Sequence, residues 1–130
     1  MKKIIYVDMD GVLVDYPTTG KPKDFLALPP VEDAVIAFGM LSEKYDVYIA
    51  STAPWSNTKA WEDKRLWVEK YLGQNAYKRL ILTHHKDLLR GEYLIDDRFV
   101  NGAGNFSGEH IHFGSERFKN WGKVLDYLDV

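Results

Sequence analysis

The chain has 130 residues, 45% of them hydrophobic, 14% aromatic and 28% charged, with a net charge of −2 and no cysteine. That length suits one domain with its own core, and the composition excludes a disordered chain, a disulfide scaffold and a thiolate zinc site. No basic excess marks a binder of nucleic-acid duplexes, and no apolar run could span a membrane or act as a signal-peptide core, so a soluble, cytoplasmic protein is expected.

The first element expected is a strand. Ile4-Ile5-Tyr6-Val7 is a continuous apolar run, which reads as a strand buried on both faces in the middle of a parallel sheet. It runs into Asp8-Met9-Asp10-Gly11, so two carboxylates at i, i+2 leave the sheet at its C-terminal edge, where open α/β sheets place their chemistry. Gly11 lets the backbone turn there and approach a ligand closely. Carboxylates this near repel each other, which calls for a retained proton or a cation between them. An Asx-type turn, in which Asp and Gly only make the corner, is the plainer alternative.

Residues 14–23 are a loop rich in Pro, Gly and Thr, and Phe25-Leu26-Ala27-Leu28-Pro29-Pro30 reads as a proline-broken flap packed on the body. A helix is expected after Pro30, with Glu32 and Asp33 in its first turn, Val31, Val35, Phe38 and Leu41 on its inner stripe, and Lys44 near its end. Val47-Tyr48-Ile49-Ala50 is the second strand, ending in Ser51-Thr52, followed by a loop at 53–58. The next helix covers Lys59 to Leu72, with Trp61, Leu66, Trp67, Tyr71 and Leu72 available to bury and Gly73 as its stop. Arg79-Leu80-Ile81-Leu82 is a short third strand ahead of Thr83-His84-His85-Lys86, and Leu88-Leu89 gives a helical turn closed by Gly91. Tyr93-Leu94-Ile95 is the fourth strand, ending in Asp96-Asp97-Arg98; a Gly- and Asn-containing loop over 100–108 leads to the fifth, His110-Ile111-His112-Phe113. Trp121, Val124, Leu125 and Leu128 face inward on a last helix. This alternation predicts an α/β, doubly wound, Rossmann-like parallel sheet of about five strands in a single domain spanning 1–130.

Four strands thus end in polar groups at one edge: Asp8 and Asp10, Ser51 and Thr52, Lys86, and Asp96 and Asp97. Singly each has an ordinary explanation, as a cap, a solvated lysine or a turn. Together they compose one site. Converging carboxylates need a hard divalent cation, and all-oxygen ligation suits Mg²⁺. A hydroxyl, backbone amides and a lysine hold phosphate oxygens. A carboxylate beside the metal attacks phosphorus, and a second protonates the leaving oxygen and then activates water.

The ordered set resembles the haloacid dehalogenase-like (HAD) phosphatases, with Asp8-Met9-Asp10-Gly11-Val12 as the first motif, Ser51 as the second, Lys86 as the third and Asp96-Asp97 as the fourth. More narrowly, Asp8 to Leu13, Ser51-Thr52-Ala53-Pro54-Trp55 and Leu94-Ile95-Asp96-Asp97-Arg98, with Lys86 ten residues before Asp96, are similar to the 5'(3')-deoxyribonucleotidase family of cytosolic type C, over residues 3–128. The resemblance implies a Mg²⁺-dependent phosphomonoesterase acting on deoxyribonucleoside monophosphates through an aspartyl-phosphate. Asp8 would be nucleophile and metal ligand. Asp10 would be general acid/base and lend its backbone carbonyl to the metal. Ser51, helped by Thr52, would bind phosphate, and Lys86 would neutralise it and orient Asp8. Asp97 would ligate the metal directly, with Asp96 behind it. The family carries a helical cap between its first two motifs; here residues 14–30 alone fill that gap, a reduced flap that implies a more open site.

Tyr16, Phe25 and Trp55 could stack on a base or simply pack. His84 and His85 could touch phosphate, whereas His110 and His112, alternating with apolar residues in a strand, read as structural, and Arg98 as a partner for the acids beside it. The competing readings are a HAD phosphatase for another small phosphate such as a phosphosugar, a non-catalytic phosphate-binding relative, and a receiver-type domain. The receiver is disfavoured because its acceptor Asp ends the third strand, where this chain has Thr83-His84-His85-Lys86.

Overall fold

A computed structural model describes residues 1–130. Five strands, β1 (Ile4–Val7), β2 (Asp46–Ser51), β3 (Leu80–Leu82), β4 (Tyr93–Asp96) and β5 (Glu109–His112), form one sheet in the order β3-β2-β1-β4-β5. Every pairing is parallel, and β1 is central: Val7 lies opposite Ile49 on one side and Ile95 on the other. The order reverses at β1, the switch point at which open α/β sheets form a crevice at the carboxyl ends of their strands. No helix is long and apolar enough to cross a membrane.

Side-chain alternation along the strands divides the core in two. Ile5, Val7, Val47, Ile49, Ile95 and Ile111 face three helices, α1 (Ala34–Lys44), α2 (Thr58–Leu72) and α3 (Trp121–Tyr127). Tyr6, Ala50 and Leu94 point the other way, where Ala103 and Phe106 complete a much smaller cluster. The helices thus cover one face. On the other, the crossovers are made by single 3₁₀ turns at Lys86–Leu88 and Ala103–Asn105.

One boundary and one buried face differ from expectation. The first helix starts at Ala34; Glu32 and Asp33 precede it, Asp33 having left-handed backbone at φ 67° and making no side-chain cap. Its buried stripe is Ala34, Ala37, Phe38 and Leu41, while Val35 is 40% exposed. The start is fixed from outside the helix, because the Val31 N–H donates to the Leu13 carbonyl, holding this strand-like lead-in against the β1 loop. Helix α2 begins as expected, with the Asn57 side chain accepting from the Ala60 N–H, but its inner face includes Asp63 and Lys64 as well as Trp67, Val68 and Leu72. Trp61, Leu66 and Tyr71 are half-buried.

The 14–30 segment is pinned at its two ends. Asp15 and Pro29 bond through their backbones, a short turn at Phe25–Ala27 is capped by Asp24, and the Trp67 indole donates to the Leu28 carbonyl at 2.9 Å.

Candidate active site

The carboxyl ends of β1, β2 and β4 and the turn after β3 bring together six of the residues singled out in the sequence, Asp8, Asp10, Ser51, Lys86, Asp96 and Asp97. Asp8 follows β1 directly, and its N–H donates to the Ile95 carbonyl, so β4 sets its height. Lys86 is buried in the turn after β3 and donates to Asp8 Oδ1 at 3.0 Å and Asp96 Oδ2 at 2.7 Å. That turn is seated by Gly102: the Lys86 N–H donates to the Asn101 carbonyl, and a Cβ on Gly102 would lie 2.2 Å from Asp87 Oδ1. Gly11, at φ 83°, does the same for Asp97, whose Oδ2 would stand 2.2 Å from a Cβ there. Glycine at these two positions is a steric requirement.

Ligand oxygens of Asp8, Asp96 and Asp97 lie within 4.8 Å of one another. The two members of the acid pair differ. Both Asp96 oxygens are engaged, Oδ1 by the Arg98 N–H and Oδ2 by Lys86. Asp97 Oδ1 is buried with no hydrogen-bond partner, as is Asp10 Oδ1. Burial pushes the Asp8 carboxyl up to about 8; Lys86 pulls it down, while Asp96 and Asp97 add to the rise. Asp97 is also raised, first by burial and then by Asp96. Buried carboxylate oxygens without partners are costly. Two such oxygens beside the raised carboxyl of Asp8 fit a hard divalent cation, which would replace the missing donors and discharge the repulsion among the acids.

A second lysine, absent from the sequence reading, completes the site. Lys64, 2% exposed on α2, donates to Asp10 Oδ2 at 3.0 Å and to Ser51 Oγ at 2.9 Å. Asp10 is therefore turned away from the three-acid cluster and toward β2, with its side chain 36% exposed at the rim. The signal for Lys64 was its helical phase: it falls three and four residues before Trp67 and Val68, on the stripe that packs against the sheet, where a solvated charge does not belong.

Other candidates are not part of this cluster. The Thr52 hydroxyl donates to the Thr83 carbonyl at 2.7 Å, tying the ends of β2 and β3 together. His84 packs against Trp55 and Trp61, and His85 is exposed. Tyr16 and Phe25 pack on each other, and the Lys64 ammonium lies 5.2 Å from the Phe25 ring centre. Arg98 meets Asp96 through its backbone amide. His110 and His112 reach the site through the backbone: their Nε2 atoms lie 3.1 Å from the carbonyls of Asp96 and Asp97 respectively, with Phe99 packed against both rings. A carbonyl only accepts, so each Nε2 carries the hydrogen. A depression of about 740 Å³ lined by residues such as Lys2, Lys44, Tyr45 and Tyr127 holds none of these acids.

A parallel sheet with this ordered set of acids, hydroxyl and lysine at its carboxyl edge defines a HAD-like phosphatase, a hydrolase of phosphoric monoesters. Within that class, the family described as "5' nucleotidase, deoxy (Pyrimidine), cytosolic type C protein" matches residues 16–126, and the chain belongs to it. A protein of Vibrio phage KVP40 with the provisional name 5'(3')-deoxyribonucleotidase is 51% identical, covering 98% of this chain and 85% of its own length. Proteins with the same provisional name from Bordetella pertussis and Bordetella bronchiseptica are 38% and 37% identical over 75% of this chain, which spans 60% of their length.

Proposed function

We propose that the chain is a Mg²⁺-dependent 5'(3')-deoxyribonucleotidase that dephosphorylates deoxyribonucleoside monophosphates through an aspartyl-phosphate on Asp8. The observation that carries this reading is the convergence of Asp8, Asp96 and Asp97 around a corner that Lys86 enters at 3.0 Å from Asp8, in a chain of this family.

Asp8 and Asp97 would hold the cation, with the Asp10 backbone carbonyl as a third ligand. The free, buried Asp97 Oδ1 favours Asp97 over Asp96 as the direct ligand, and Asp96, spent on Lys86 and Arg98, supports it. The bound ion would draw charge from the phosphate oxygens. Lys86 holds Asp8 Oδ1, aiming the other oxygen at phosphorus and countering the developing charge. Ser51 Oγ and Lys64 Nζ bind the phosphate from the β2 side. Thr52 supports them by anchoring the end of β2.

Attack by Asp8 forms the Asp8–phosphorus bond as the ester oxygen leaves with a proton from Asp10. Asp10 then takes a proton from the water that cleaves the aspartyl-phosphate, releasing inorganic phosphate. The catalytic unit is a single domain over 1–130, and residues 14–30 act as its reduced cap.

The test is phosphate release from a panel of nucleotides and sugar phosphates, with and without Mg²⁺, using Asp8→Asn as the blank. Selective, Mg²⁺-dependent release from deoxynucleoside monophosphates that Asp8→Asn abolishes is the expected result. Release from a phosphosugar alone would keep the phosphatase and discard the nucleotidase; near-normal activity of Asp8→Asn would discard the covalent mechanism.

A further inference from the structure

Beside the phosphate-binding side of the site stands a group of aromatic rings with no evident task in the core. Trp55 is 81% exposed, the most exposed aromatic side chain in the molecule. It is nonetheless held in place. Its ring meets Trp61 at 6.3 Å and 78° and His84 at 6.2 Å and 68°, and Trp61 and His84 meet each other at 6.1 Å. The Trp61 indole donates to the Pro54 carbonyl at 2.8 Å, fastening the loop that carries Trp55 to α2.

Each ring is tied by the chain to a polar group of the site. Trp55 follows Ser51 by four residues, Trp61 precedes Lys64 by three on the same helix, and His84 precedes Lys86 by two. Thr52 and Thr83, bonded to each other at 2.7 Å, lock the two loops together at their base. The rings of the 14–30 flap are committed elsewhere, to each other and to Lys64. Trp55 combines a fixed position with a largely open surface on the side of Ser51 and Lys64, whereas Phe99, also exposed and held by its neighbours, stands on the side of His110 and His112.

We propose that Trp55, braced by Trp61 and His84, is the surface on which the base of the substrate stacks while its phosphate lies at Ser51 and Lys64. This rests on the nucleotide reading above and supplies the base-binding element that the short flap does not. The ligand chemistry it selects is a flat, neutral aromatic ring one sugar away from a phosphomonoester. A phosphosugar has no such ring to offer.

The experiment compares kcat/KM for a deoxynucleoside monophosphate with that for deoxyribose 5-phosphate, in the wild type, Trp55→Ala and Trp55→Phe. The wild type should prefer the nucleotide. Trp55→Ala should reduce that preference about tenfold, the scale of one base–aromatic stack, chiefly through KM. Trp55→Phe should restore most of it. A preference unchanged in Trp55→Ala overturns the proposal, including the case in which the variant alters only the oligomeric state in sedimentation, which would make Trp55 a contact between copies. A wild type with no preference for the nucleotide overturns the nucleotide reading itself, and this proposal with it.

Discussion

Burial can hold a proton on a carboxylate even when a lysine stands 3.0 Å away. Asp8 illustrates this, its carboxyl pushed by burial up to about 8 against 3.8 for the free side chain. Between those values the folded chain holds a proton that the unfolded chain has released, so stability is greatest below about pH 4 for this group and is lost as the pH rises through 8. A divalent cation takes the proton's place and opposes that loss. Urea midpoints of the cation-free protein should therefore fall between pH 5 and pH 8.5, and Mg²⁺ at about 100 times its Kd should recover most of the difference at the upper end. A midpoint indifferent to Mg²⁺ at pH 8.5 would contradict the metal role of Asp8. At this scale most of the site was legible in the sequence, because carboxylates and a lysine at strand ends can only meet at the sheet edge. Lys64 was not: its helical phase with Trp67 and Val68 turns it toward the sheet, but its partners Asp10 and Ser51 lie 54 and 13 residues away, and only the packing of α2 reveals which groups it meets.

Strand β5 shows how an element can serve a site it does not enter. His110 and His112 share a face by the two-residue period of a strand, and they donate to the carbonyls of consecutive acids, Asp96 and Asp97. The strand thereby sets the backbone from which Asp97 projects, much as outer groups orient the ligands of a metal. His112→Phe, which keeps a ring against Phe99 but removes the donor, should weaken Mg²⁺ binding measured by calorimetry about tenfold. It should cost about 1–2 kcal/mol of stability for the unpaired carbonyl. Unaltered Mg²⁺ affinity would show the bond to be structural alone, which is how the sequence pattern reads. Elements with their own local signal were found where expected: buried parallel strands are continuous apolar runs, and α2 opens on its Asn57 cap. The start of α1 was missed because Val31 bonds to Leu13, a tertiary restraint with no trace in helix propensity.

The whole molecule follows the expected parallel, β1-centred plan, which alternating segments dictate. What alternation could not disclose is that the helices gather on one face: a three-residue 3₁₀ turn is too short to carry a periodicity. The consequence is an uneven distribution of cooperativity. Lifting the turns at Lys86–Leu88 and Ala103–Asn105 away from Tyr6 and Leu94 exposes a small cluster and breaks few backbone bonds, whereas opening the helical face disrupts the main core with Trp67 and Trp121. Such thin layers open sub-globally and exchange their amides first. Deuterium uptake should accordingly be faster over 83–92 and 99–108 than over α1 and α2 on the opposite face. It should slow there when Mg²⁺ and inorganic phosphate are added together, because Lys86 is anchored in that layer. Equal uptake by both faces would argue against it. Ligand affinity and local unfolding would then be two readings of one equilibrium, with part of each binding event spent on closing the turns.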